Sequence, residues 1–298
     1  MRELIFIHGR AQQNKDSVAL KAEWIEAWRQ GLAKSGLQVP IPETSIRFPY
    51  YGDTLDQLVS SNPPAKAAEV IVRGAATGDE EQRRFVLGVL NEILARQGVD
   101  DAKIAAEVGG DTQIVHKGVL NWSWVQGALR ALDRHVPFAS GNSIALFTND
   151  VYQYLASPGI RDKIDSGVRK AFTPGTSTVV VSHSLGTVVA YSLLSREGQS
   201  NGWQVPLLVT VGSPLAVTNI KMKYRPIEHP ACVSHWFNAM DSRDVVALYP
   251  LDARNFPLDP EVENKTDVNN HTENRHGIAG YLDDPVVAKR IYDALTAA

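Results

Sequence analysis

The stretch from Ser177 to Val189, Ser-Thr-Val-Val-Val-Ser-His-Ser-Leu-Gly-Thr-Val-Val, constrains the fold of this chain more than any other. A short β-branched apolar run reads as a buried strand and ends in a small-x-Ser-x-Gly turn. A helical pattern leaves the turn, with Leu185, Val188, Val189 and Ser192 at i, i+3, i+4 and i+7, the spacing of a helix that packs one face on a sheet. So tight a strand-to-helix reversal brings two backbones together and demands small residues around the central serine, which Ser182 and Gly186 supply. A serine held at such a turn has its hydroxyl exposed, the form of a nucleophile elbow. The competing reading is an ordinary tight turn.

The flanking sequence extends the same architecture. Leu4 to Ile7 reads as a buried strand, followed at its carboxyl end by His8-Gly9-Arg10. Leu20, Trp24, Ala27 and Trp28 predict an amphipathic helix from Asp16 to Lys34, and Ser45 to Phe48 a second strand. This β-α-β alternation implies parallel strands joined by a helical crossover. Further strands are predicted at Thr178–Ser182, Leu207–Val211 and Val233–Asn238, a helix starting near Asn149, another through Ile160, Ile164, Val168 and Phe172, and a last helix opened by Asp284-Pro285. Between residues 54 and 142 the pattern is helical, with stripes at Val86, Val89, Leu90, Ile93 and Leu94 and at Val125, Ala128, Leu129 and Leu132. That segment is an insertion, either a cap over the carboxyl edge of the sheet or a set of crossover helices. The expected whole is a single α/β domain over residues 1–298, with a mostly parallel central sheet flanked by helices.

Bulk properties narrow the function class. A net charge of −3 gives no reason to expect nucleic acid or an anionic membrane as partner. The only cysteine, Cys232, excludes an internal disulfide framework and suits a reducing compartment. The first strand starts almost at Met1, which leaves no room for a signal peptide, so a cytoplasmic location is expected. No apolar run approaches the length of a transmembrane helix. No glycine-rich phosphate loop follows any strand, and no cofactor is expected. His229, Cys232 and His235 have a metal-like spacing, but they border a strand predicted to be buried. The run from His271 to His276 lacks the H-E-x-x-H spacing, and no metal is expected.

A serine hydroxyl is a weak nucleophile at neutral pH and needs a base, which in turn needs an orienting acid. At an elbow of this kind the partners follow the serine in the order acid, then histidine. Downstream of Ser184, Asp244 and Asp241 both lie just after the strand predicted at Val233–Asn238, at the carboxyl end where catalytic groups gather. Asp244 is the first choice and Asp241 the second. His276, in a glycine-flanked loop before the last helix, is the first choice of base, with His271 as the alternative. An oxyanion needs two backbone N–H donors, expected from Leu185, next to the serine, and from Arg10 or else Ala11 in the loop after the first strand. Tyr50 and Tyr51, after the second strand, either line a substrate pocket or pack beneath the insertion.

The early "IHGR", the elbow "SHSLG", the strand end "TVGSPL", the acid segment "NAMDSRDVVA" and the late "RHGIAGYL", in this order, resemble the α/β-hydrolase superfamily, closest to its serine esterase and lipase-like branch. The resemblance covers residues 1–53 and 143–298 and leaves out most of the insertion, where substrate choice is usually made. Ser182 stands where glycine is commonest. The resemblance implies an α/β-hydrolase fold and hydrolysis of a small-molecule or lipid-like carboxylic ester through Ser184, Asp244 and His276. A thioesterase, amidase or acyltransferase using the same triad, or a catalytically silent interaction module, are the alternatives.

Overall fold

A computed structural model of the protein describes residues 2–9, 16–52, 80–108, 122–137 and 139–297. Strand β1 (Glu3–Ile7) is followed by helix α1 (Ser17–Ala33) and strand β2 (Ile46–Arg47). Among the described residues, four helices come next: α2 (Glu80–Arg96), α3 (Asp101–Val108), α4 (Trp122–His135) and α5 (Gly141–Ala156). Then come α6 (Pro158–Arg169), β3 (Thr178–His183), α7 (Leu185–Glu197), β4 (Leu208–Val211), α8 (Thr218–Lys221), β5 (Trp236–Ala239) and β6 (Glu263–Lys265). Helices α9 (Ala279–Leu282) and α10 (Pro285–Thr296) close the chain.

The strands form one sheet in the order β2-β1-β3-β4-β5-β6, and every neighbouring pair is parallel. Because successive side chains of a strand point to opposite faces, each strand feeds two cores. Leu4, Phe6, Val179, Val181, Val209, Val211 and Phe237 pack on one side with Trp24 and Trp28 of α1 and Ile291 of α10. Ile5, Ile7, Val180, Leu208 and Trp236 pack on the other with α2, α4, α5, α6 and α7. Burial on both faces is what the unbroken Val179-Val180-Val181 run requires.

Local signals set the helix ends. Asp16 accepts hydrogen bonds from the N–H groups of Val18 and Ala19 and starts α1, while Asp284 does the same for Val286 and Val287 at the start of α10. The two helices are joined by the Trp28 Nε1–H, which donates to the Ala288 carbonyl at 3.1 Å. Helix α5 begins at Gly141, eight residues before the predicted start, because Ser140 accepts from the Ser143 N–H and Asp133 from the Gly141 N–H. Strand β5 begins at Trp236, not Val233. The Val233 N–H is used in a turn on Pro230, and that residue makes only an isolated bridge to Val205.

Between β2 and β3 the regular elements of the described residues are helices, with no strand among them. The stripes of α2 and α4 belong to the same apolar cluster as Ile5, Ile7 and Val180 of the sheet, and both helices pack against α5. Helix α2 is also tied to α8, where Glu92 accepts hydrogen bonds from the Thr218 N–H and hydroxyl.

Chain order reverses at β1: β2 lies on one side of it and β3 on the other. A parallel sheet opens a crevice at the carboxyl ends of the strands at such a switch point, and that crevice is where ligands bind in open α/β sheets. Gly9 follows β1 there and Ser184 follows β3.

Candidate active site

Ser184 occupies φ 57° and ψ −128°, a left-handed conformation that a residue with a Cβ rarely takes. The strain is held by close packing of the β1 loop on the elbow. A Cβ on Gly186 would lie 2.3 Å from the Ile7 carbonyl oxygen and 2.6 Å from that of His8. One on Gly9 would lie 2.7 Å from the Ser184 Cβ. Any larger residue at either position must part the loop from the turn. Ser182 fits because its buried hydroxyl donates to the Val209 carbonyl at 3.1 Å. Thr187 completes the turn by donating to the Ser184 carbonyl at 2.7 Å.

Three predicted residues from distant parts of the chain meet at this turn. His276 Nε2 lies 2.8 Å from Ser184 Oγ, and His276 Nδ1 lies 2.7 Å from Asp244 Oδ2. Asp244 is buried, and its Oδ1 accepts from the Val246 N–H at 2.8 Å and the Ala247 N–H at 3.4 Å. Its Oδ2 also accepts from the Tyr281 hydroxyl at 2.6 Å. Burial alone would raise the Asp244 carboxyl. The neighbouring His276 charge and the hydrogen bonds from His276, Tyr281 and Val246 outweigh it and hold the group below the usual carboxylate range.

Asp241 is equally buried but is turned away from the imidazole. It is engaged by the guanidinium and N–H of Arg243 and by the Asn270 N–H, and so ties together the loops that carry Asp244 and His276. His271 is exposed and faces Asp283. The structure thus brings Asp244 and His276, not Asp241 and His271, to the serine.

Two buried histidines support the site without touching Ser184 Oγ. His183 packs its ring 4.7 Å from that of His276, and its Nε2–H donates to the His276 carbonyl at 2.7 Å. Burial, reinforced by His276, lowers its pKa to about 3, so it is neutral. His8 donates from Nδ1 to the Gly9 carbonyl and accepts the Tyr51 N–H at Nε2, and burial lowers its pKa to about 4. Tyr51 stacks on this ring at 3.9 Å, donates its hydroxyl to the His8 carbonyl, and is 2% exposed, so it presents almost no surface to a ligand. Tyr50 is half-buried, its ring 5.4 Å from the same imidazole.

Leu185 opens α7, where backbone N–H groups have no intrahelical acceptor. The expected second donor, Arg10 or Ala11, lies outside the described residues. Two neighbours of the triad carry no role in the sequence reading. Gly212 has φ 58°, and a Cβ there would come within 3.2 Å of the His276 ring and 3.1 Å of Tyr281. Its signal was the glycine that ends a strand in "TVGSPL". Tyr281 had none, because its contact with Asp244 spans 37 residues.

Among the described residues no group of His, Cys, Asp and Glu could hold a metal ion, and no helix is long and apolar enough to cross a membrane. No family model, no curated protein and no solved structure matches the chain.

Proposed function

We propose that the protein is a serine hydrolase of α/β-hydrolase fold that cleaves carboxylic esters through Ser184, His276 and Asp244. The observation that carries this reading is the continuous hydrogen-bonded chain from Ser184 Oγ through both ring nitrogens of His276 to a buried, ionised Asp244. It lies at the switch point of a parallel sheet, on a strained turn that packing holds in place.

In the proposed mechanism His276 Nε2 takes the proton of Ser184 as Oγ attacks the ester carbonyl. The tetrahedral oxyanion is held by the Leu185 N–H and by a second backbone donor in the loop after β1, for which Arg10 is the first choice. His276 then gives its proton to the departing alcohol, leaving an acyl group on Ser184. Water, deprotonated by the same imidazole, releases the acid and restores the serine. Asp244 holds the proton of His276 on Nδ1 and stabilises the imidazolium without accepting that proton. No cofactor is required, and the rate falls on acidification because only neutral imidazole acts as a base.

A fluorophosphonate probe tests the assignment, since it reacts with an activated serine alone. The expected result is a single adduct on Ser184, absent from Ser184→Ala, with hydrolysis of a chromogenic ester lost in the same variant. An unlabelled, inactive wild-type protein would refute the reading.

A further inference from the structure

Asp244 Oδ2 accepts two hydrogen bonds, and the mechanism above uses only one. The second comes from Tyr281 at 2.6 Å. Its hydrogen is directed at Asp244 because the tyrosine oxygen itself accepts the Asp241 N–H at 3.3 Å. The ring is fully buried, packed against His183 at 6.1 Å and against the bare backbone of Gly212, so the hydroxyl has one orientation. We propose that Tyr281 is a positioning residue that sets how strongly Asp244 pulls on the His276 proton, an inference that rests on the hydrolase reading.

An oxygen shared between two donors is a weaker acceptor toward each, because part of its charge is already engaged. Burial and the adjacent Asp244 hold the Tyr281 phenol well above its ordinary pKa, so it remains a neutral donor throughout the working range. The other ionisable groups around the contact are balanced or neutral. Asp241 is paired with Arg243 on the same loop, and His183 on β3 is uncharged. Without the phenol, Asp244 concentrates its charge on His276 and the imidazole keeps its proton to higher pH. The acid limb of the rate profile then moves upward. A more acidic phenol does the reverse.

The test compares pH profiles of kcat and KM on a chromogenic ester for wild type, Tyr281→Phe, and protein carrying fluorotyrosine at position 281. Tyr281→Phe is expected to lower plateau kcat about tenfold with KM nearly unchanged, and to move the acid limb up by about half a pH unit. Fluorotyrosine, a stronger donor on the same ring, is expected to move it down. The far-downfield proton resonance of the His276–Asp244 hydrogen bond should shift in opposite directions in the two proteins. Acid limbs that coincide in all three, or that move the same way in both variants, would overturn the inference. If Tyr281→Phe does not fold, the fluorotyrosine protein against wild type decides by the same sign. A wild type that labels at Ser184 with an unmoved limb refutes only the role of Tyr281, whereas one that neither labels nor turns over removes both readings.

Discussion

Two carboxylates at opposite ends of α7 are buried in much the same company, yet the protein treats them differently. Asp244, near the Ser184 end, receives a tyrosine hydroxyl and an imidazole. Asp165, near the Arg196 end, receives the Tyr154 hydroxyl at 2.8 Å and the Arg196 guanidinium. Burial raises Asp165 above its ordinary pKa despite those partners, with Glu197 adding to the effect, while Asp244 is held below its own. The difference begins with His276, whose charge and hydrogen bond lower Asp244 most, with the Tyr281 hydroxyl and the Val246 N–H adding to them, whereas the bonds from Arg196 and Tyr154 do not offset the burial of Asp165. The peptide N–H groups at Asp244 Oδ1 add a contribution that does not depend on side-chain rotation. A carboxylate held below its ordinary pKa beside an imidazole is suited to hold an imidazolium, whereas Asp165, bonded to Tyr154 and Arg196, joins α5, α6 and α7.

The largest expected effect tests that contrast directly. Asp244→Asn keeps the shape but removes the charge and allows the wrong His276 tautomer, so kcat should fall by about 10⁴. Thermal unfolding should show that the variant still folds. Asp165→Asn should leave the kcat of the folded protein at its wild-type value. Loss of activity in the second variant and not the first would reverse the roles assigned to the two ends.

The contrast was only partly legible in the sequence. The elbow was, because a β-branched run entering small-x-Ser-x-Gly has few other folds to adopt. His276 was legible as the candidate base because it follows the acid segment in a loop that contains Gly277 and Gly280. Asp241 and Asp244 share one loop, and only the direction of each carboxylate separates them, which spacing does not encode. Strand β6 was not expected, since Glu263-Asn264-Lys265 is polar and short. It forms because the Asn264 amide satisfies the Leu251 N–H and carbonyl and accepts from Asn238 on β5. Both β6 and the Tyr281 contact depend on partners distant in sequence, where local pattern has no purchase.

Acid should distinguish the two ends next. His8 and His183 are neutral in the folded protein with pKa values near 4 and 3, and ordinary in the unfolded chain, near 6.5. Below about pH 6.5 the unfolded state binds protons that the folded state refuses, so stability falls with falling pH until the folded values are reached. For His8 alone the loss approaches about 3 kcal/mol by pH 4. Asp244, depressed when folded, adds a loss at still lower pH. Asp165 acts with the opposite sign: its raised pKa makes the folded state the better proton acceptor, so acidification through that window stabilises. Melting temperatures from pH 7 to 4 should drop steeply in wild type. The drop should be shallower in His8→Gln, which keeps a donor and an acceptor but takes up no proton, and steeper in Asp165→Asn. Parallel curves for all three would break the comparison.

At neutral pH, the Asp165 end should show its effect in stability alone. Asp165→Ala leaves the Tyr154 hydroxyl buried without its acceptor, although Arg196 is about a third exposed and can turn to solvent. A loss of about 1–3 kcal/mol is expected in urea unfolding, with kcat unaffected.

The smallest effect sharpens the comparison within the site itself. Asp241 lies three residues from Asp244, is equally buried, and is also held below its usual range, with burial opposing and the bonds from Arg243 and Asn270 prevailing. By charge alone it would pass for the acid. What it lacks is contact with His276: its oxygens face Arg243 and the Asn270 N–H, and Asn270 in turn holds the Gly277 carbonyl next to the base. Asp241→Asn should therefore loosen the loop without altering the tautomer of the imidazole. The expected result is a fall in kcat of about threefold, roughly 0.7 kcal/mol in the barrier, with the shape of the pH profile preserved. A collapse of about 10⁴ in this variant, with Asp244→Asn active, would mean that an ionised carboxylate near the loop matters more than the atom it touches.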